Sequence, residues 1–364
     1  MRKIEFLGKM PDPFKKEDGT RMTKDEWYEK KDEIRQRIVD IEYGGMPPKA
    51  EFIEINRLNE GAGGHASTWY RIKAGKKDNY VTFNLEIMRN MTDDKKYPVL
   101  LTGDACYDNM ESDTIQEAVK RGYVVAKFNR LDFANDTNER KGQLYEVYTE
   151  YPDFTAISAW AWGYSVCMDV FEQIEYIDET EVGITGHSRG GKTVMLAGAM
   201  DERIKYICPN NSGCHGAVSH RCYVTGPGEM DVTERICDMV VDFPTWMGPK
   251  LWNYIDKEDE LPYDMHYFGA LIAPRYYLQC EGMQDYWINP IGAWQNFSAV
   301  KACYKYLGCE DHAGAWFRPG FHRHKLPDFI QFLDFMDRAR ANEALAEHLK
   351  INPYPEIIKN FDWE

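Results

Sequence analysis

From Tyr97 onward, short runs of consecutive apolar residues alternate with helical patterns. This alternation is the feature of the sequence that most restricts the possible fold. The apolar runs are YPVLLTGD, YVVAKFNR, EVGITG, IKYICPN, APRYYLQCEG and HAGAWFRPG. The helical patterns between them include TIQEAVKRG, a long segment from about Phe154 to Tyr176, and GKTVMLAGAM. Strands that are apolar throughout are typical of a parallel sheet with helices on both faces. The sequence therefore predicts an α/β fold in three layers.

The N-terminal region has a different pattern. Thr23 and Glu26 form a capping box that begins a helix, and Gly44-Gly45 ends it. Two alternating segments, HASTWYRIKAG and NYVTFNLEIMRN, then predict an antiparallel edge. We expect residues 1–75 to pack on a main domain formed by residues 76–364. An insertion at about 226–261, rich in Trp, Pro, Met and Asp, should lie on the substrate side.

The net charge and the cysteine pattern restrict which partners and which cellular location the sequence predicts. The chain has 59 acidic and 44 basic residues, a net charge of −15, which argues against nucleic acid or an anionic membrane as partner. The sequence contains no run of 18 apolar residues, so it predicts no membrane-spanning helix. The nine cysteines are scattered without a CxxC pair, and the first residues lack a secretory pattern. These features predict reduced thiols and a cytoplasmic location.

The segment Gly186-His187-Ser188-Arg189-Gly190 fits the pattern G-x-S-x-G. It follows an apolar strand and begins a helix, which is the context of a nucleophile elbow. Glycine is required there because a sharp turn brings backbone segments too close for side chains. The turn would expose the Ser188 hydroxyl at a helix N-terminus, with the Arg189 N–H placed to stabilise an oxyanion.

A serine nucleophile needs a base and an acid, which in this class follow it in the order acid, then histidine. The loop after the last strand contains His322 and His324, and either residue fits the base. Asp285 and Glu281 both follow the strand PRYYLQ, and spacing does not choose between them.

These residues resemble those of the glucuronoyl esterases, carbohydrate esterase family fifteen, and especially its bacterial members. The similarity extends from about residue 10 to residue 340. It rests on seven ordered elements: AISAWAWGYSVCMDV, GITGHSRGGKTVMLAGAM, Asp201-Glu202-Arg203, Asn211-Ser212-Gly213, DFPTW, Gln284-Asp285-Tyr286-Trp287 with Asn289-Pro290, and Arg318-Pro319-Gly320-Phe321-His322. The resemblance implies an α/β-hydrolase fold.

The resemblance also implies catalytic roles. Ser188 would be the nucleophile, His322 the base and Asp285 the acid. Arg189 would add its guanidinium to the oxyanion hole, where a charged donor is stronger than an amide.

Three further residues would form the sugar site. Lys192 lies one helical turn past Ser188 and would bind sugar hydroxyls. Glu234 lies nine residues before Phe243, as in the family, and Trp287 would pack its flat face on a pyranose.

The chain departs from the family pattern at two positions. Many members have a glutamate where this chain has Asn211, so the acid role would fall on Asp285, with Glu281 in reserve. The base loop also carries a second histidine, His324.

The sequence thus predicts a serine esterase acting through an acyl-enzyme on a small-molecule or oligosaccharide ester. A 4-O-methyl-glucuronoyl ester of a lignin-type alcohol is the favoured substrate. A carbohydrate acetyl esterase is the first alternative, and a non-catalytic carbohydrate-binding member is the second. No metal or organic cofactor is expected, because Cys214-His215 and His220-Cys222 only approach a zinc-ligand spacing.

Overall fold

The computed structural model describes residues 2–60, 66–90, 95–107, 109–226 and 232–364 of the chain. The strands are β1 Lys3–Phe6, β2 Phe52–Glu60, β3 Ala66–Lys76, β4 Asn79–Arg89, β5 Tyr97–Thr102, β6 Val124–Phe128, β7 Ile177–His187, β8 Tyr206–Asn210, β9 Cys222–Thr225, β10 Tyr276–Gly282 and β11 Ala313–Arg318. The helices are α1 Lys24–Tyr43, α2 Ser112–Lys120, α3 Gln143–Val147, α4 Ala156–Phe171, α5 Arg189–Met200, α6 Ile236–Asp242, α7 His266–Ile272, α8 Pro290–Leu307 and α9 Leu326–Arg340.

A nine-stranded sheet forms the centre of the molecule, in the order β11-β10-β8-β7-β5-β6-β4-β3-β2. The six strands from β11 to β6 in this order are mutually parallel. β4, β3 and β2 continue the sheet with antiparallel pairing. The predicted α/β-hydrolase fold, with its antiparallel edge, is confirmed. A separate two-stranded ribbon joins β1 to β9.

Strand β5 shows why the parallel strands are apolar throughout. Val99 and Leu101 contribute to the core on one face of the sheet, and Leu100 contributes to the core on the other. Most buried apolar residues of α4, α5, α7 and α8 belong to the first core, and those of α2 and α9 belong to the second. Both faces of each central strand are therefore covered, which gives the three predicted layers.

The predicted N-terminal helix is confirmed as α1. The Thr23 side chain accepts from the Glu26 N–H, the Glu26 carboxylate accepts from the Thr23 N–H, and Gly44 ends the helix with a φ of 68°. Strand β2 was missed by the sequence analysis, because FIEINRLNE does not alternate regularly. Since β2 and β3 are strands of the central sheet, position 75 lies inside β3 and not between two separate units.

Two other predicted segments differ in extent. The long helix ends at Phe171, five residues before Tyr176, and the intervening residues form a turn into β7. The insertion contains α6 and two short 3-10 helices, Leu251–Tyr254 and Glu258–Glu260. Residues 227–231 of that insertion lie outside the described residues.

Within the described ranges, none of the helices has both the length and the apolar character that crossing a bilayer demands.

The C-terminal end of α1 generates a stability prediction. Gly44 and Gly122 both have positive φ near helix ends, but a Cβ on Gly44 would collide with the Asp153 carbonyl, whereas one on Gly122 meets nothing within 4 Å. Gly122→Ala should cost about 1 kcal/mol, the cost of the backbone conformation alone. Gly44→Ala should cost several kcal/mol more in urea unfolding. Equal losses of unfolding free energy in the two variants would contradict the close packing of Gly44 on the Asp153 carbonyl.

Candidate active site

The turn between β7 and α5 carries Ser188. Its φ of 57° and ψ of −121° lie outside the regions that non-glycine residues usually occupy. A Cβ on Gly186 would collide with the backbone of Gly190, and a Cβ on Gly190 would collide with the carboxylate of Asp104. The glycines predicted from G-x-S-x-G are therefore required by close contacts.

Hydrogen bonds hold this turn from both sides. The Ser188 N–H donates to the Asn210 carbonyl at 2.9 Å, and the His187 N–H donates to Asp104 Oδ2 at 2.7 Å. Asp104 is itself held in a buried ion pair with Arg130. The strained backbone of Ser188 is thus fixed by groups at the ends of β5, β6 and β8.

The register of the sheet brings the other candidate residues to the same level. His187 of β7 is paired with Asn210 of β8, and Asn210 is paired with Cys280 of β10. The next residue along each of these strands is Ser188, Asn211 and Glu281, respectively. Parallel strands end at one edge, so the side chains that follow them converge there.

Asp285 and His322, the residues predicted as acid and base, lie in contact. His322 Nδ1 lies 2.6 Å from Asp285 Oδ2, and the His322 ring lies 4.3 Å from the ring of His187, the neighbour of Ser188. Asn211 Nδ2 also donates to Asp285 Oδ2, at 2.7 Å. The amide at position 211 therefore supports the Asp285 carboxylate directly, where a second carboxylate would repel it.

The loops that carry this pair are joined by backbone hydrogen bonds. The Met283 N–H donates to the Arg318 carbonyl at 2.9 Å, and the Gln284 N–H donates to the Gly320 carbonyl at 3.0 Å. The Gly320 N–H returns a hydrogen bond to the Gln284 side chain. These contacts extend the parallel pairing of β10 and β11 beyond the sheet and fix the separation of Asp285 and His322.

A polar network beneath the base loop was not assigned from the sequence. Arg318 donates to the carbonyls of Phe321 and Arg323, on either side of His322, and to Asp328 Oδ1 at 2.7 Å. Asp328 Oδ1 also accepts from Asn210 Nδ2 at 3.1 Å. Arg318 belongs to the R-P-G-x-H element, but no motif or spacing in the sequence links it to Asp328.

Asn210 continues this network to the nucleophile turn. Because its Nδ2 donates to Asp328, its Oδ1 faces His187 Nδ1 at 2.6 Å and accepts the imidazole proton. Burial, with a smaller contribution from the nearby His322, lowers the pKa of His187 to about 3. His187 is therefore neutral and acts as a hydrogen-bond donor at the turn.

The two candidates that the resemblance disfavoured, His324 and Glu281, are buried close to this pair. His324 stacks on Phe329 with ring centroids 4.0 Å apart, and burial lowers its pKa well below the ordinary value. Glu281 Oε1 accepts from Gln279 Nε2 at 3.1 Å, and burial raises the pKa of Glu281 well above its usual range. A neutral carboxyl cannot stabilise an imidazolium, so this geometry favours Asp285 over Glu281 as the acid.

Arg189 begins α5 and lies across the turn from the base. Its Nη1 donates to Asp136 Oδ2 at 2.6 Å, and its guanidinium lies 4.6 Å from the centroid of the Trp246 ring. Trp246 is buried, stacks on Phe243 and donates its indole N–H to Asp136. Asp136 was missed by the sequence analysis, since it lies in a loop without a recognisable motif. It holds Arg189 beside Ser188.

Lys192 lies one turn past Ser188, as expected, but its ammonium is buried. It donates to the carbonyls of Ser212 and Cys214, at 2.7 and 2.5 Å, and to Glu234 Oε1 at 3.2 Å. These acceptors use all three donors of an ammonium group. A sugar hydroxyl would reach Lys192 only by displacing one of them, so Lys192 acts first on the loop after β8 and on Glu234.

Glu234 and Trp287 are neighbours. The Glu234 N–H donates to the Trp287 carbonyl at 3.0 Å, and Glu234 Oε1 accepts from the Cys214 N–H at 2.6 Å. The Trp287 side chain is exposed. An exposed indole beside a buried carboxylate provides an apolar face and a polar group for one ligand, as a pyranose requires.

Comparisons with known proteins find similarity to glucuronoyl esterases. The profile of the family described as glucuronyl esterase, fungi, matches residues 72–308. A 4-O-methyl-glucuronoyl methylesterase of Wolfiporia cocos is 28% identical over 346 residues, covering 92% of this chain and 81% of the relative.

Two solved structures have the same fold. A family 15 glucuronoyl esterase from Caldicellulosiruptor kristjansonii superposes with a TM-score of 0.81 at 26% identity, covering 97% of each chain. A glucuronoyl esterase from Sporotrichum thermophile, solved with methyl 4-O-methyl-β-D-glucopyranuronate, has a TM-score of 0.75 at 21% identity. That match covers 94% of this chain and 91% of the other.

The contact between Asp285 and His322 predicts which carboxyl group matters for turnover. Asp285→Asn should lower kcat/KM on an activated ester by about 10³-fold or more, because an amide cannot stabilise the imidazolium. Glu281→Gln removes a group that is already neutral and should lose less than about tenfold. Melting temperatures of both variants control for unfolding. The opposite ranking would assign the acid role to Glu281.

The raised pKa of Glu281 predicts a pH dependence of stability. The folded protein keeps a proton on Glu281 that the unfolded chain releases above about pH 4.5. The contribution of Glu281 to stability is therefore complete below that pH and declines as the pH rises. In urea unfolding between pH 4 and 8, Glu281→Gln should gain stability relative to the parent as the pH rises. Glu356→Gln, at an exposed position, is the control and should show no such trend. If the difference in unfolding free energy between Glu281→Gln and the parent did not change with pH, Glu281 would be ionised in the folded protein.

Proposed function

This chain belongs to the glucuronoyl esterase family, and from that membership we propose that Ser188, His322 and Asp285 hydrolyse a glucuronoyl ester through an acyl-enzyme. The protein is a carboxylic ester hydrolase. The proposal assigns the nucleophile, the base and the acid to residues that follow three different strands of one sheet.

A single observation carries this assignment: His322 Nδ1 lies 2.6 Å from Asp285 Oδ2. With Nδ1 occupied by the carboxylate, the imidazole is held in the tautomer whose Nε2 accepts a proton. Ser188 is on the adjacent strained turn, next to His187, whose ring lies 4.3 Å from that of His322. This arrangement supports general-base activation of the serine.

The proposed reaction proceeds in two halves. Ser188 Oγ gives its proton to His322 Nε2 and attacks the ester carbonyl. The oxyanion is stabilised by the N–H and the guanidinium of Arg189, which Asp136 holds in place. His322 then protonates the departing alcohol, and water, activated by the same base, hydrolyses the acyl-enzyme.

We assign the sugar to the side of Glu234 and Trp287. The uronate would be the acyl part, so its ring would lie beside Ser188 with its hydroxyls toward Glu234. The exposed Trp287 ring would pack on the C–H face of the pyranose. Lys192 would contribute by fixing Glu234, which it contacts at 3.2 Å. A 4-O-methyl group on the sugar and a lignin-type alcohol as leaving group are part of the proposal.

A paired rate assay tests the substrate. Benzyl glucuronate carries the ester at the sugar carboxyl, whereas an acetylated sugar and nitrophenyl acetate carry a small acyl group. Purified protein should give a kcat/KM on benzyl glucuronate that exceeds the values on both acetates by about 10²-fold, since only the uronate places its ring against Glu234 and Trp287. Preference for the acetates would overturn the uronate while keeping the triad.

The nucleophile is tested separately in the same preparation. Ser188→Ala should reduce kcat on every ester by several orders of magnitude and abolish covalent labelling by a fluorophosphonate. An unchanged melting temperature shows that the loss is chemical. Labelling that persists in Ser188→Ala would overturn the assignment.

A further inference from the structure

A second cluster of reactive side chains lies behind the sugar side of the site. Cys214, His215 and His220 each present one ligand atom, and these atoms lie within 4.8 Å of one another. All three side chains are buried, with exposures of 3%, 0% and 6%. None of them takes part in the proposed reaction.

The backbone of the loop after β8 brings these side chains together. His215 has a φ of 63°, and this left-handed conformation turns the side chains of adjacent residues toward one point, whereas in a strand they would diverge. The loop is fixed from outside: Lys192 donates to the Cys214 carbonyl and Tyr43 donates to the His215 carbonyl. The position of the cluster is therefore set by the backbone of a loop that hydrogen bonds hold in place, and not by side-chain rotamers alone.

Glu42, in the last turn of α1, orients both imidazoles. Its Oε1 lies 2.5 Å from His215 Nδ1, and its two oxygens lie 3.2 and 3.3 Å from His220 Nε2. Tyr263 donates to the same carboxylate. Each histidine thus turns one ring nitrogen to Glu42, which fixes the tautomer and leaves the other nitrogen available to a further ligand.

One distance within the cluster has the length expected between two ligands of a tetrahedral metal ion, and the third group has a ring nitrogen to offer. His220 Nδ1 lies 3.5 Å from Cys214 Sγ, and His215 Nε2 has no hydrogen-bond partner among the described residues. Bond lengths of about 2.3 Å to sulfur and 2.0 Å to nitrogen place tetrahedral ligand atoms about 3.5 Å apart. An imidazole bound to a carboxylate on its far side is the usual state of a zinc-ligating histidine.

We propose that Cys214 Sγ, His215 Nε2 and His220 Nδ1 bind a divalent zinc ion, with Glu42 as the carboxylate that orients the two histidines. A thiolate with two imidazoles is a donor set that suits zinc better than magnesium or calcium. The ion would also balance the charge of a buried thiolate and a buried carboxylate, with both histidines neutral.

The site would act as a structural brace for substrate binding. Cys214 donates its N–H to Glu234 and accepts from Lys192 through its carbonyl, so the ion would fix both residues through one backbone unit. Removing the ion should raise KM for benzyl glucuronate several-fold more than KM for nitrophenyl acetate. The expected effect on KM rests on the proposed function, whereas the expected metal content of the protein is independent of it.

The direct test is the metal content of untagged, full-length protein purified without chelators. Mass spectrometry of the metal should find about one zinc per chain, falling below about one tenth in Cys214→Ser and His220→Gln. Cys222→Ser is the matched control, because Cys222 is equally buried but lies outside the cluster. Glu42→Gln should weaken zinc affinity by about 10- to 100-fold.

A measurement on the unaltered chain covers variants that fail to fold. Chelator-treated protein, titrated with Co²⁺, should develop a thiolate-to-cobalt absorption band, and zinc should raise its melting temperature. Absence of zinc in the purified protein together with no uptake of Co²⁺ would overturn the proposal. Equal zinc content in the parent and Cys214→Ser would also overturn it.

Discussion

The left-handed φ of 57° at Ser188 is the constraint on which the rest of the site depends. Such a backbone costs free energy unless its surroundings hold it. Gly186 and Gly190 leave room for the turn, and Asp104 and the Asn210 carbonyl bind the N–H groups of His187 and Ser188. These partners come from three neighbouring strands, β5, β7 and β8, so the turn depends on the pairing of these strands.

The base is tied to the same strand ends by a chain of polar contacts. His187 binds Asn210, Asn210 binds Asp328, and Asp328 binds Arg318, which donates to the carbonyls on either side of His322. The base loop therefore has a position set by the elbow and not only by its own sequence.

Much of this arrangement was predictable, and the reasons for the rest are physical. Apolar runs and G-x-S-x-G specified the sheet and the turn, because both depend on local sequence. The choice of His322 over His324 and of Asp285 over Glu281 needed the family resemblance, because contacts between distant loops decide it. Spacing could not reveal that three protein acceptors occupy the Lys192 ammonium, nor that Glu42, far earlier in the chain, meets His215 and His220. The cytoplasmic location stays a prediction.

One oxygen of Asp285 accepts from two side chains, His322 and Asn211. The residue at position 211 is thus within a single hydrogen bond of the atom that orients the base, although it follows a different strand. The amide at position 211 therefore acts on the imidazole through the shared carboxylate oxygen. A change of charge at position 211 would therefore reach the imidazole without any change in the loop that carries His322.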